Sequence, residues 1–232
     1  MKIKWNNKKY DIFLNQLKSL SDLKTKQFNE RIFNTKYEVL GIKTPILKKM
    51  AKEIENDDII DFLECTGSKY FEEVMIEGFV ISRIKDKDNN LFLKYFYKFI
   101  DKIDCWALCD SCVCSFKIMK ENDYSDIAYS LILDSREFYI RVGYIILLNY
   151  YIDDLHINNI ISLCYKDSSY YYVNMAISWL ISACFVKYKE NVLEMLKSKK
   201  LNPFVQNQAI SKIRDSYKVS REDKELVKSF KV

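Results

Sequence analysis

The sequence predicts an all-α chain in which antiparallel helices stack as a solenoid, and three observations carry that prediction. Apolar residues recur at the three- and four-residue spacing of a helix nearly from end to end. Glycine and proline number only 4 and 2, whereas an all-β chain needs a turn signal roughly every 8–12 residues. The polar intervals between the apolar stripes are short, and none is long enough to link separate domains. The expectation is therefore one domain spanning residues 1–232.

The stripes run in order along the chain. Ile12, Leu14 and Leu17 open the series, and Ile46, Leu47, Met50 and Ile54 continue it. Leu91, Tyr95 and Phe99 come next, then Ile127, Leu131 and Leu133, then Ile161 and Leu163, and finally Val192, Met195 and Leu196. The breaks read SDLK, NDD, DKDNN, END, DDLHINN, KDSS and KSKKLN. Both prolines mark helix starts. In Thr44-Pro45 and Asn202-Pro203 a cap-forming residue precedes the proline, whose missing N–H would be unpaired at the first helical position anyway. Helix pairs recur at about 35–40 residues, near the period of HEAT-type repeats. Stacked pairs of that kind make a superhelix with a concave inner face. Residues 104–119 and 170–186 are apolar round most of their circumference, as helices packed on several sides must be.

Composition narrows the function classes. No GxGxxG and no GxxxxGK[ST] is present, which excludes nucleotide cradles of those types. The net charge of +5 permits nucleic acid without demanding it. The seven cysteines sit in apolar company, and the start MKIKWNNKKY is charged, with no apolar leader. A reduced cytoplasmic protein with buried thiols is expected. No run of about 18 apolar residues offers a membrane span.

Three segments hold residues at odds with their surroundings. In Cys105–Phe116 one residue is charged, Asp110, and a mid-helix carboxylate among small apolar residues is disfavoured by propensity and by desolvation. Asp104 is the expected N-cap of this helix. Asp110 is either a buried acid paired with an arginine or capping a neighbouring helix, or a carboxylate set to act on a substrate. Trp106 lies four residues earlier, on the same face. Cys105, Cys109 and Cys112 also share a face, but the only histidine is His156, so the thiols read as small core residues and no metal is expected. In Tyr170–Trp179, Trp179 is either a core residue or a ring that projects between small neighbours. In Glu137–Gly143, Arg141 opens an otherwise apolar helix and must pair with an acid, for which Asp110 is a candidate, or meet a phosphate.

Together these segments resemble the AlkD-like DNA alkylation repair family, which is built from HEAT-like repeats. The resemblance runs from about residue 30 to residue 225. LGIKTPILKKMAKEI is similar to the family's Leu-Gly-(Ile/Val)-x-x-Pro helix start, and WALCDS to its Trp-x-x-x-Asp segment. FYIRVGYIILLNYYI resembles the arginine-bearing helix, YYVNMAISWLISACFVKY the tryptophan-bearing helix, and QNQAISKIRDSYKVSRED the C-terminal repeat. The resemblance implies excision of N3- and N7-alkylated purines, such as 3-methyladenine and 7-methylguanine, from duplex DNA without base flipping and without a cofactor. It implies that Asp110 stabilises the oxocarbenium-like transition state, that Trp106 and Trp179 hold sugar and backbone, and that Arg141 assists. The family's active members carry two adjacent arginines in the third segment, the second being the one credited with catalysis; here Val142 stands in that second place. A non-catalytic DNA-binding solenoid is the second reading, with Lys43, Lys48, Lys212 and Lys218 on phosphates, and a protein-interaction scaffold the third. A monomer in a bacterial-type cytoplasm, at the nucleoid when bound to DNA, is expected.

Overall fold

The computed structural model describes residues 4–55, 59–85 and 90–232. Among them lie fifteen helices and no strand, so the all-α class stands. Contacts cluster into two compact units, Met1–Asn122 and Asp123–Val232.

The first unit contains α1 (Asn7–Ser19), α2 (Leu23–Ile32), α3 (Thr44–Glu55), α4 (Ile59–Cys65), α5 (Phe71–Ile81), α6 (Asn90–Ile100), α7 (Trp106–Val113) and α8 (Ile118–Glu121). α5 is its hub: α3, α4, α6 and α7 all pack on it. Every residue of α5 is buried, Glu72, Glu73 and Glu77 included. Each carboxylate binds a segment distant in sequence or caps its own helix. Glu72 accepts from the backbone N–H groups of Leu40, Gly41 and Ile42 at 2.9, 2.7 and 3.2 Å. Glu73 accepts from the Tyr10 hydroxyl at 2.6 Å and from the N–H groups of Lys69 and Tyr70. Glu77 accepts twice from Lys102 Nζ, at 2.8 and 2.7 Å; burial pushes its carboxyl pKa up, and the Lys102 charge only partly offsets that. Gly41 has a φ of +85°, a region side chains resist. A β-carbon there would stand 2.3 Å from the Lys26 backbone nitrogen. Leu40-Gly41-Ile42 is thus a tight loop whose donors converge on Glu72, and it launches α3.

The second unit contains α9 (Ser125–Ile132), α10 (Glu137–Tyr150), α11 (Ile157–Cys164), α12 (Tyr171–Lys187), α13 (Lys189–Ser198), α14 (Pro203–Asp215) and α15 (Arg221–Lys228). α10, α12 and α14 lie side by side, α12 in the middle. α9 covers α10, α11 and α13 pack on α12 and on each other, and α15 covers α14. The members of the inner row begin at Glu137, Tyr171 and Pro203, a spacing of roughly one helix pair. α12 touches neighbours on several sides, which is why its sequence is apolar all round.

Several local expectations are corrected. α1 buries Tyr10, Phe13 and Leu17, while Ile12 is 61% exposed. Leu133 is the C-cap of α9 and is 72% exposed. α11 buries Ile157, Ile160 and Cys164 rather than Ile161 and Leu163. Residues 104–119 do not form one helix, because α7 ends at Val113. Cys105, not Asp104, is the N-cap of α7. The Asp104 carboxylate instead accepts from Thr35 Oγ1 and the Lys36 N–H, a pairing across 68 residues that local pattern does not reveal. Asn202 caps α14 ahead of Pro203 as expected, whereas Thr44 lies inside α3, placing Pro45 one position into the first turn. The NDD break and most of DKDNN fall outside the described residues.

None of the seven cysteines, all among the described residues, is in a disulfide, and five are buried. Burial pushes the Cys105 and Cys184 thiols up to about 12. Cys65 is half-buried and Cys114 is exposed, contrary to a uniformly buried set. Iodoacetamide applied to the native protein is expected to modify Cys114 first, then Cys65, with peptide mass mapping as the readout. Labelling of Cys109 or Cys112 at the rate of Cys114 would contradict this packing.

Candidate nucleic-acid interface

In α7 the buried positions are Ala107, Leu108, Cys109, Cys112 and Val113. The positions that reach solvent are Trp106, Asp110 and Ser111, half-buried, followed by Cys114, exposed. Trp106, Asp110 and Cys114 follow one another at four-residue intervals, so the accessible face of this helix carries all three. Trp106 is fixed in place: its indole N–H donates to the Ile32 carbonyl at 3.3 Å, and its ring meets Phe33 edge-on at 6.3 Å. Asp110 is therefore not sealed in the core. Its carboxylate sits on a solvent-reaching strip beside an immobilised tryptophan.

That strip leads into a basic pocket. Cys114, one turn beyond Asp110, lines a space of about 410 Å³ together with Lys48, Phe79, Ser82, Arg83, Ser115 and Lys117. Three of these residues are cationic and none is acidic. Lys48 comes from α3 and lies 5.2 Å from the Phe79 ring centroid. Arg83 follows the end of α5, and Lys117 lies just past the end of α7. Arg83 lies beside the carbonyls that end α5, and three cations clustered in one pocket favour an anion.

The second unit has its own basic pocket, of about 600 Å³. Trp179, 40% exposed on the mostly buried α12, forms one wall. Ser182, Ala183 and Val186 extend that wall along α12 at helical spacing, and Lys187, Lys212 and Lys218 supply positive charge against the single acid, Asp215. Trp179 thus projects between small neighbours rather than filling the core. Trp179, Lys212 and Lys218, singled out separately from sequence, share one site.

The remaining candidates fall elsewhere. Lys43 lines a different pocket of the first unit, with Lys24, Thr25, Phe28 and Pro45. Arg141 is only 4% exposed, and its guanidinium donates to the Tyr172 carbonyl at the start of α12. Val142 is fully buried. Among the described residues no group of three or more His, Cys, Asp and Glu is placed to hold a metal ion, and no helix is long and apolar enough to cross a membrane.

Residues 13–213 match the model of a family described as DNA alkylation repair enzyme. The chain belongs to the DNA alkylation repair enzyme family. Membership makes DNA the substrate and places the protein in repair of alkylated DNA. A comparison with curated proteins gives no match.

Within this DNA alkylation repair protein, sequence reasoning missed Arg83, Lys117 and Lys187. Each lies near the end of a buried helix, where a basic residue is ordinary, and only the pairing of helix ends gathers them into pockets. The signal that was available is their position as the first charged residue after an apolar run, FVIS, CVCSF and SACFV respectively.

Proposed function

We propose that this chain is a DNA glycosylase that removes N3- and N7-alkylated purines from duplex DNA, with Asp110 as its electrostatic catalyst. The observation that carries the reading is the accessible face of α7, where Trp106 and Asp110 lead into the pocket of Lys48, Arg83 and Lys117. A cationic pocket attracts the sugar–phosphate backbone. A carboxylate on the same accessible face opposes positive charge that develops nearby. An N3- or N7-alkylated purine supplies that situation. The base already carries a positive charge and departs neutral when its bond to C1′ breaks. The charge then passes to the deoxyribose as an oxocarbenium-like centre, which a carboxylate stabilises. Water adds its oxygen at C1′ and loses a proton, for which Asp110 is the acceptor. The Trp106 ring, held by Ile32 and Phe33, supplies a rigid surface for the sugar.

A second reading, DNA binding without excision, is favoured by one observation. Arg141 is buried against α12 and Val142 lies in the core, so neither stands as an exposed arginine on α10. The experiment that separates the two is release of 7-methylguanine and 3-methyladenine from alkylated duplex DNA by the native protein. Release supports the enzyme; its absence, with duplex binding intact, supports binding alone.

Both readings require phosphate contacts. Native affinity for duplex DNA is expected to fall steeply with salt, and Lys48→Ala, Lys212→Ala and Lys218→Ala are each expected to reduce the slope of log K against log salt by roughly 0.9. Slopes unchanged in all three variants would remove these lysines from the interface.

A further inference from the structure

Tyr217 has no role in the scheme above, yet among the described residues it is the most exposed large hydrophobic side chain, at 103% of its reference area. Its presentation is built rather than accidental. Ser216 ends α14 and accepts the Lys218 N–H on its Oγ at 3.2 Å. Two residues past Tyr217, Val219 is buried. Ser220 then caps α15, its Oγ accepting from the Asp223 N–H at 3.1 Å. The turn is thus anchored on both sides, and the ring stands outside it.

The neighbours of this ring define what it would meet. Ser216 and Lys218, immediately before and after it, both line the pocket that holds Trp179 and Lys212. An exposed aromatic presented by a pinned turn loses little freedom on binding. Next to lysines that attract phosphates, the flat surface within reach is that of a nucleobase, which a side-chain wedge exposes by parting a base step of the duplex, and the ring then gains base–aromatic stacking. We propose that Tyr217 stacks its ring on a nucleobase of the bound duplex, acting as an aromatic wedge beside the Trp179 pocket. The inference rests on the reading that this protein binds duplex DNA, and it adds a contact to base rather than backbone.

The wedge predicts a separation of effects. Tyr217→Ala should weaken binding of the full-length protein to an alkylated duplex by about tenfold or more, while leaving the salt slope unchanged, because no phosphate contact is lost. Lys218→Ala should do the reverse in character, lowering the slope. Tyr217→Phe should bind like the native protein, since the ring is retained. With 2-aminopurine placed at successive positions of the duplex, the native protein should raise its fluorescence at one position and Tyr217→Ala should not. Native-like affinity and fluorescence in Tyr217→Ala would overturn the wedge. A Tyr217→Phe variant as weak as Tyr217→Ala would also overturn it, assigning the effect to the hydroxyl. Failure of the native protein to bind the duplex at all would overturn the DNA-binding reading first, and the wedge with it.

Discussion

Asp110→Asn is expected to abolish base excision while leaving the fold and DNA affinity in place. Asparagine has the shape of aspartate and can still make hydrogen bonds from the half-buried position on α7. It lacks the negative charge, and only the charge opposes the positive centre that develops on the deoxyribose. Losing such a preorganised electrostatic group costs a factor of about 10² to 10³ in rate, and the loss should appear in kcat with little change in apparent affinity. Affinity for undamaged duplex should rise slightly, because the only acid on that strip no longer repels phosphates near Lys48, Arg83 and Lys117. Single-turnover release of 7-methylguanine, read beside an equilibrium binding curve, measures both effects. Release equal to that of the native protein would remove Asp110 from catalysis.

Glu72→Ala is expected to cost about 3–5 kcal/mol of stability, near the upper limit for a single substitution. The carboxylate is fully buried and holds three backbone N–H groups that no water reaches. Each buried donor left without a partner costs about 1–3 kcal/mol, and the smaller side chain adds a cavity. Gln at this position retains one acceptor oxygen but turns an amide toward the same donors, so an intermediate loss is expected. Gly41→Ala attacks the same loop from the other side, by strain at a φ of +85° and collision with the Lys26 backbone. Because both changes undo one structure, the double variant should lose less than the sum of the singles. Chemical denaturation of the three variants decides this, and a Glu72→Ala protein within 1 kcal/mol of native would refute the loop's dependence on Glu72. The loop precedes Lys43 and Lys48, so partial loosening should also lower DNA affinity before the protein unfolds.

The candidate site was legible from sequence where a residue clashed with its immediate neighbours. Asp110 stands out in CWALCDSCVCSF because everything near it is small or apolar, and it does lie on the accessible side of α7. Trp179 stands out less, yet it is 40% exposed, with the small residues Ala176 and Ala183 about one turn away on either side. Arg141 shows the limit of such reasoning. Charge in an apolar helix marks it, but the same pattern describes an arginine packed inside, and here the side chain is buried against Tyr172. Lys43 and Lys48 look alike in LGIKTPILKK but line separate pockets, because Lys43 precedes α3 and Lys48 lies within it.

The three glutamates of α5 mark the same boundary. FEEVMIEGFVI sets three acids in an apolar helix, and all three are buried. Their partners Leu40, Tyr10 and Lys102 lie 25 to 63 residues away.

By itself the sequence determined the all-α class, the proline-led start of α14 and the four-residue spacing that puts Trp106 and Asp110 on one face of α7. These depend on contacts three or four residues apart, which the chain encodes locally. Only the tertiary structure decided which acids are buried, that Arg141 packs inside, and which lysines and arginines share a pocket. Those outcomes depend on which helix ends meet, and α3, α5 and α7, like α10, α12 and α14, meet across an intervening helix that local periodicity cannot see past.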